Sequence, residues 1–360
     1  MKRLAYVNPD CYVDVDMTVL KHLAAHYHIS WYPVFYTDRP IYYDAGQMQS
    51  YAETYGIDLH LCPRLYRQRD PRNYRFYSKI VEDINSRDTD IVYSCIVEEL
   101  YWTIASRKLK ATRVLGLHDV VMHSFNDPLK RFIQTGIREF TIRSSRNVCV
   151  FSENQRELFA MRYGRETYEL GLCCRNLGTP SVKIPDISDG VKLLFFGNIV
   201  EYKGLDLLIG SMERLRNEGI TNLHLTIAGQ GDYWSVCERC IKTFEMYDFR
   251  IRFIANEEIP DLVASHHFMV LPYRNATQSG PLMIAVGSGI PVLAPDYGCF
   301  REQCDDRSSV LYSNLDDALR IISVMKSPNY LQMRGHAKLL GDLFSEEAVI
   351  ARYIHYFDNL

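Results

Sequence analysis

The chain has 360 residues, a formal net charge of −3, 47% hydrophobic residues and 24% charged ones. That length is too great for one typical core, so two domains are expected. The composition excludes a disordered chain, and the lack of a long apolar run excludes a membrane-spanning helix.

In chain order, short apolar runs at 4–7, 29–36, 57–61, 90–97, 113–119 and 147–152 read as strands, most of them separated by helical patterns. A stretch rich in Gly, Pro, Ser and Asp at 178–190 marks a boundary. A second series reads as strands at 192–197, 223–229, 251–255, 268–273, 291–295 and 309–313. Helical patterns at 204–219 and 233–247 lie between them, and two more helices close the chain at about 329–344 and 346–357. Strands that are apolar throughout and alternate with helices indicate parallel sheets covered on both faces. The expected fold class is α/β, with two Rossmann-like, doubly wound domains at 1–185 and 186–345. The last segment, 346–360, is expected to cross back onto the first domain. Ligands in such folds sit at the carboxyl ends of the strands, near the switch point.

The N-terminal run MKRLAYVNPD is too brief for a signal-peptide core. Ten scattered cysteines, among them Cys62, Cys95 and Cys149 in apolar runs, suit reduced thiols in a cytoplasmic protein. Cys237 and Cys240 form a C-x-x-C without a second pair at zinc spacing, so no metal site is expected. Residues 1–185 hold 25 Lys and Arg against 21 Asp and Glu, and the remainder holds 16 against 23. Much of the positive charge lies in Arg64–Lys79, where Arg64, Arg67, Arg69, Arg72, Arg75 and Lys79 alternate with aromatic residues. That mix suits an anionic membrane surface or a lipid diphosphate, and equally a solvated loop leading into a helix. The acidic second half argues against a nucleic-acid partner.

Three strand ends of the second series carry ligand-like chemistry. Gly197 closes a strand and Lys203-Gly204 open a helix, where a lysine can meet a phosphate as a point charge. Gly229 and Gly231 flank Gln230 at the next. At the third, NATQSG precedes a helix that starts at about Gly280. Amides at a helix start lack internal partners and carry the positive end of its dipole, so they favour a diphosphate. An ordinary N-cap by Thr277 or Ser279 is the plainer reading of the same residues. Asp14-Val15-Asp16 and Asp88-Thr89-Asp90 each read DxD, but as a helix N-cap at Asp16 and a turn before a strand. The loop NPDCYVDVD after the first strand lies at a strand end, where such folds bind ligands, and offers Asp10, Tyr12 and Asp14 as candidate binding residues.

The segments FFGNIVEYKGLDLLI, IAGQGD and LPYRNATQSGPLMIAVGSGIPVLAPDYGCFRE, in this order and spacing, resemble the nucleotide-sugar half of family 4 retaining glycosyltransferases. The resemblance covers about residues 191–312 and extends to GLHDVVMHS (116–124) and FSEEAVIARYIHYF (344–357). It implies the GT-B fold, with two Rossmann-like domains facing across a cleft. It implies transfer of a sugar from a nucleotide sugar, UDP-linked or GDP-linked, to an acceptor hydroxyl, with retention and without a metal or other cofactor. The acceptor it suggests is a glycan or a polyprenyl-diphosphate-linked one, in bacterial surface polysaccharide synthesis on the inner face of the plasma membrane. By position, Lys203 would bind the donor diphosphate beside Gly197 and Asn198, with Gln230 and Gly231 nearby. Thr277 and the amides of Gln278, Ser279 and Gly280 would face the phosphates or sugar, while His118 would lie near the reacting sugar and Asp119 hold its loop. The chain departs from the family where two glutamates usually stand eight residues apart, since Ala276 and Ile284 fill those places. The ATQSG pattern is similar to a bacterial subgroup that lacks both. A nucleotide-sugar epimerase and a non-catalytic partner subunit are the alternative readings.

Overall fold

The structure, a computed structural model, describes residues 1–36, 44–121, 128–175, 177–276 and 278–360. The described residues form two compact units. The first comprises Met1–Gly171 with Val349–Leu360, and the second Leu172–Ala348.

The first unit is built on an eight-stranded sheet among the described residues. Its strands are β1 (Arg3–Pro9), β2 (His28–Tyr36), β3 (Asp58–Leu59), β4 (Cys62–Arg64), β5 (Ile91–Ser94), β6 (Thr112–Gly116), β7 (Asn147–Val150) and β8 (Tyr168–Glu169). The order is β3-β2-β1-β5-β6-β7-β8, with β4 also on β2, and every pairing is parallel. The second unit holds β9 (Val191–Phe196), β10 (Leu223–Ala228), β11 (Tyr247–Arg250), β12 (Phe268–Val270), β13 (Val292–Pro295) and β14 (Ser309–Tyr312). They run β11-β10-β9-β12-β13-β14, again all parallel. Central strands such as β1 and β13 are buried on both faces, which explains why they are apolar throughout. Strand order reverses between β1 and β5 and between β9 and β12, and these two places are switch points, where folds of this kind bind ligands.

Three details differ from the pattern read off the sequence. Residues 172–190 group with the second unit, because that segment is strapped to it. Ser181 donates from N and Oγ to Asp261 (both 2.6 Å), and Pro185 O accepts from His267 Nε2 (3.0 Å). His267 Nδ1 accepts the Lys192 amide at 2.8 Å, which fixes the tautomer. The edge strand expected at 251–255 lies at Tyr247–Arg250, and the helix expected at 233–247 shrinks to Trp234–Glu238. The cause is Glu213, buried on the helix Leu205–Asn217. Its carboxylate accepts from the amides of Lys242 and Thr243 (2.9 and 3.0 Å), the Thr243 hydroxyl and the Tyr247 hydroxyl, holding 242–247 out of a helix. Finally, Asp16 is not an N-cap. The helix starts at Val13, and Asp16 turns inward to accept from Asn8 Nδ2 at 2.7 Å.

The closing helix, Glu346–Asp358, buries Tyr353 and Phe357 against Tyr93 of β5. Lys2 Nζ donates to the carbonyls of Phe357 and Asp358, a cation on the negative end of the helix dipole. No helix among the described residues is long and apolar enough to cross a membrane.

The Glu213 hub gives a stability test. Burial raises its carboxyl, but the donors around it outweigh burial and hold it below the ordinary glutamate range. Its contribution is therefore present above that range and lost as pH falls through the lowered value. Glu213→Ala leaves two amides unpaired and should cost about 2–4 kcal/mol in urea unfolding at neutral pH, with Glu213→Gln costing less. Equal stability of wild type and Glu213→Ala would refute the hub.

Candidate functional site

In the second unit three strand-end loops meet at the β9/β12 switch point, and their contacts explain most of the glycines there. A side chain at Gly229 would meet Gly197 O at 1.9 Å, one at Gly231 would meet Ile199 O at 2.2 Å, and one at Gly204 would meet Pro272 O at 2.0 Å. Gly204 also has φ +66°, which favours glycine. Backbone bonds complete the packing: Gln230 O accepts the Ile199 amide (2.8 Å), and Tyr202 O accepts the Arg274 amide (2.7 Å). The turn Glu201–Lys203 is thus held between the loop after β10 and the loop after β12.

Lys203 is the residue this packing positions. It is 7% exposed, and burial alone pushes its ammonium down to about 8. No carboxylate or hydrogen-bond acceptor meets Nζ among the described residues. The nearest aromatic is Tyr273, whose ring centroid lies 5.6 Å away. A methyl group built at Gly197 would lie 3.1 Å from Nζ and 3.3 Å from the Pro281 ring, so the ammonium, the Gly197 backbone and the start of the helix Gly280–Gly287 converge. A buried cation without a counter-ion is costly, and an anion at this point would relieve it.

Ser279 is the N-cap: it is buried, its Oγ accepts the Leu282 amide (3.1 Å) and donates to Tyr273 Oη (3.2 Å). Pro281 has no amide hydrogen. That leaves the Gly280 amide as the first helical donor, with open space around its Cα. Gln278 is half-buried, Asn198 and Gln230 are exposed, and Thr277 lies outside the described residues. Gly231 serves loop packing rather than open space. Ala276 and Ile284 are both buried in one apolar cluster with Leu271, Tyr273 and Phe300, so hydrocarbon fills the places of the usual glutamates.

The sequence reading missed Arg274. Its guanidinium forms a fork with Asp206 (2.9 and 2.6 Å) and donates to Glu201 O (2.6 Å). With its own amide on Tyr202 O, it clasps the turn that carries Lys203 from the side opposite the loop after β10. An exposed-looking Arg in a polar loop gave no signal of this, because Asp206 is 68 residues away.

In the first unit three strand ends meet at one imidazole. The His118 ring is stacked between Tyr12 and Phe151, with centroids 4.2 Å apart on both sides and planes within 12°. Gln155 Oε1 accepts the Val120 amide (2.6 Å) and Cys149 O the Leu117 amide (2.8 Å), fixing the loop that holds His118 and Asp119. Burial holds the Tyr12 phenol well above its ordinary range, so it stays neutral. Asp10 is buried just after β1, and Asp14 is half-buried in the first turn of the next helix. Lys203 and His118 belong to different units.

The basic segment resolves into two parts. Arg64 is buried and paired with Glu99 at 2.8 Å, so it takes no part in a surface. Arg72 pairs with Asp70 and covers the Tyr66 ring at 4.0 Å. Arg67, Arg69, Arg75 and Lys79 are exposed, beside Leu65 at 71% exposure.

Two parallel, doubly wound α/β units with these strand orders define the architecture of the GT-B glycosyltransferases. Residues 190–323 match the family described as glycosyl transferases group 1. No curated protein is significantly similar in sequence. Among solved structures, HepE from Anabaena, in complex with UDP and glucose, is 16% identical with a TM-score of 0.76 over 100% of both chains. Sucrose-phosphate synthase from Thermosynechococcus elongatus is 13% identical, with a TM-score of 0.74 over 100% of this chain and 99% of the other. A putative UDP-N-acetylglucosamine 2-epimerase from Listeria monocytogenes is 11% identical, with a TM-score of 0.63 over 99% and 97%.

Lys203 yields a test with an unusual sign. Below about pH 8 both folded and unfolded chains carry the ammonium, and the burial penalty is fully present. It fades as pH rises from about 8 toward the ordinary 10.5, where the unfolded chain also loses the proton. Lys203→Met should therefore stabilise the ligand-free protein at pH 7 by about 3 kcal/mol in urea unfolding, and by less at pH 10. A variant less stable than wild type at pH 7 would show that the ammonium is compensated.

Proposed function

We propose that the protein is a retaining glycosyltransferase that moves a sugar from a nucleotide sugar, UDP-linked in preference to GDP-linked, to a hydroxyl of a glycan or lipid-linked acceptor. The observation that carries this reading is Lys203: a buried ammonium without a counter-ion among the described residues, set against a glycine backbone and a helix start. The family match over residues 190–323 and the UDP held by the Anabaena neighbour support a nucleotide-sugar donor. Retention comes from the sequence resemblance alone.

In this mechanism the nucleoside diphosphate is the leaving group. Negative charge grows on it as the glycosidic bond breaks, and Lys203 with the Gly280 amide meets that charge in a site already organised for it. No metal step is needed. Gly197 lets the diphosphate approach the backbone, and the Arg274 clasp keeps Lys203 from swinging away. In the first unit, His118 is the second side chain assigned a role in this reading, with its ring plane fixed by stacking. With Ala276 and Ile284 apolar, sugar and ribose hydroxyls are read by Gln278, Thr277 and backbone groups instead of glutamates.

The epimerase reading has one observation in its favour, since the Listeria neighbour has the same fold. Products separate the two: the transferase releases free sugar when acceptor is absent, and an epimerase returns an epimerised nucleotide sugar. A panel of UDP- and GDP-sugars should reveal one donor that is hydrolysed or transferred. Lys203→Ala should slow that turnover by about 10²–10³-fold. A panel without any turnover, together with no UDP- or GDP-induced rise in melting temperature, would point to the non-catalytic partner.

The acceptor reading includes an anionic membrane surface, carried by exposed Arg67, Arg69, Arg75 and Lys79 beside Leu65. Each such charge near a lipid surface is worth about 1 kcal/mol. Neutralising Arg67, Arg69 and Arg75 together should reduce co-sedimentation with phosphatidylserine vesicles by about a hundredfold. Unchanged co-sedimentation removes the membrane from the account.

A further inference from the structure

One cavity of the second unit is not lined by Lys203. It has a volume of about 770 Å³ and opens at the carboxyl ends of β12, β13 and β14, on the face covered by the helices Leu205–Asn217 and Leu315–Ser323. This is within the usual size range of ligand sites. One wall is the Arg274–Asp206 fork. The other is a second fork, Arg214 to Asp316 at 2.9 and 2.8 Å. Tyr297, 41% exposed, and Tyr312 contribute aromatic surface between them.

The charges decide what fits. Both arginines of the lining are spent on bidentate carboxylates, and the third carboxylate, Asp296, is paired with Arg301 at 2.8 Å. Among the described residues an anion meets no free cation here, and a cation meets no free carboxylate. What remains is neutral hydrogen-bonding capacity. Asn314 uses its Oδ1 to cap the helix Leu315–Ser323, accepting from the Asp316 and Asp317 amides, which leaves its NH₂ group. The Tyr312 and Ser313 hydroxyls make no hydrogen bond among the described residues. Apolar ring surface beside neutral donors and acceptors, rimmed by planar Arg–Asp forks, matches a sugar ring, with its C–H faces and hydroxyl edge.

We propose that this cavity is a carbohydrate-binding subsite for a neutral sugar, coupled to the donor site through Arg274. The coupling rests on the nucleotide-sugar reading. Arg274 is at once a wall of the cavity and the clasp on Glu201 and Tyr202 that holds the Lys203 turn. A sugar that bonds to the Arg274–Asp206 fork tightens the turn that meets the diphosphate, and by linkage the diphosphate tightens the sugar. Arg274 acts here as a positioning residue.

The experiment is saturation-transfer NMR on the whole chain with glucose, galactose, mannose and N-acetylglucosamine as probes, with and without saturating UDP. At least one sugar should show transfer while UDP is bound, and that sugar should lower the Kd for UDP by about fivefold. Ser313→Trp, which fills the mouth from an exposed position, should abolish the transfer without changing the melting temperature or the Kd for UDP alone. Arg274→Ala should weaken sugar binding and remove its effect on UDP, and Arg274→Lys should restore only part of both. No transfer from any of the four sugars with UDP bound, or transfer that survives Ser313→Trp, overturns the proposal. UDP binding is read in the same titrations. A protein that takes sugar but no UDP therefore refutes the donor reading, and one that takes UDP but no sugar refutes this subsite.

Discussion

A single buried ammonium sets the terms for the second unit. Lys203 is held away from water, without a counter-ion among the described residues, and burial lowers its affinity for the proton. Such a charge would swing out to solvent if its turn were loose. It stays because the turn is pinned on both sides, by glycine-to-carbonyl packing against the loop after β10 and by Arg274 from the loop after β12. The fold stores an electrostatic cost at one point, and a diphosphate placed there would release it. This is the ordinary tension between stability and function: residues that serve a charged ligand are poorly satisfied without it.

The same unit shows how a site can change its chemistry while its frame persists. Where the resembled family carries two carboxylates, this chain has Ala276 and Ile284, and both are absorbed into the apolar cluster beneath the helix Gly280–Gly287. Restoring a glutamate at 284 alone would bury a charge in hydrocarbon, at a cost of several kcal/mol or a protonated acid. The first unit solves a different problem, fixing the plane of one imidazole by stacking it between Tyr12 and Phe151.

Much of this was legible in the sequence. Apolar runs alternating with helices gave both parallel sheets, because a strand buried on two faces has no polar face to show. Gly197, Lys203 and Gly280 were found as strand-end and helix-start residues, and they do converge. The sequence could not reveal what depends on partners far along the chain. Glu213 reorganises 242–247 from another helix, Asp206 recruits Arg274, and Asn8 draws Asp16 inward. Arg64 looked like part of a basic surface and is buried with Glu99. The Ser279 side chain is engaged as a cap, and Gly231 packs against Ile199 O. In each case the deciding contact spans many residues or belongs to the backbone.

The central claim, that Lys203 awaits a diphosphate, is tested most directly by counting protons on binding. UDP titrations by calorimetry at pH 8, in buffers of different ionisation enthalpy, give the number of protons taken up. At that pH part of the free amine is unprotonated, and a bound diphosphate would hold it fully charged. The account predicts net proton uptake on binding, absent in Lys203→Met. Proton-neutral binding, or uptake that persists in Lys203→Met, would contradict it.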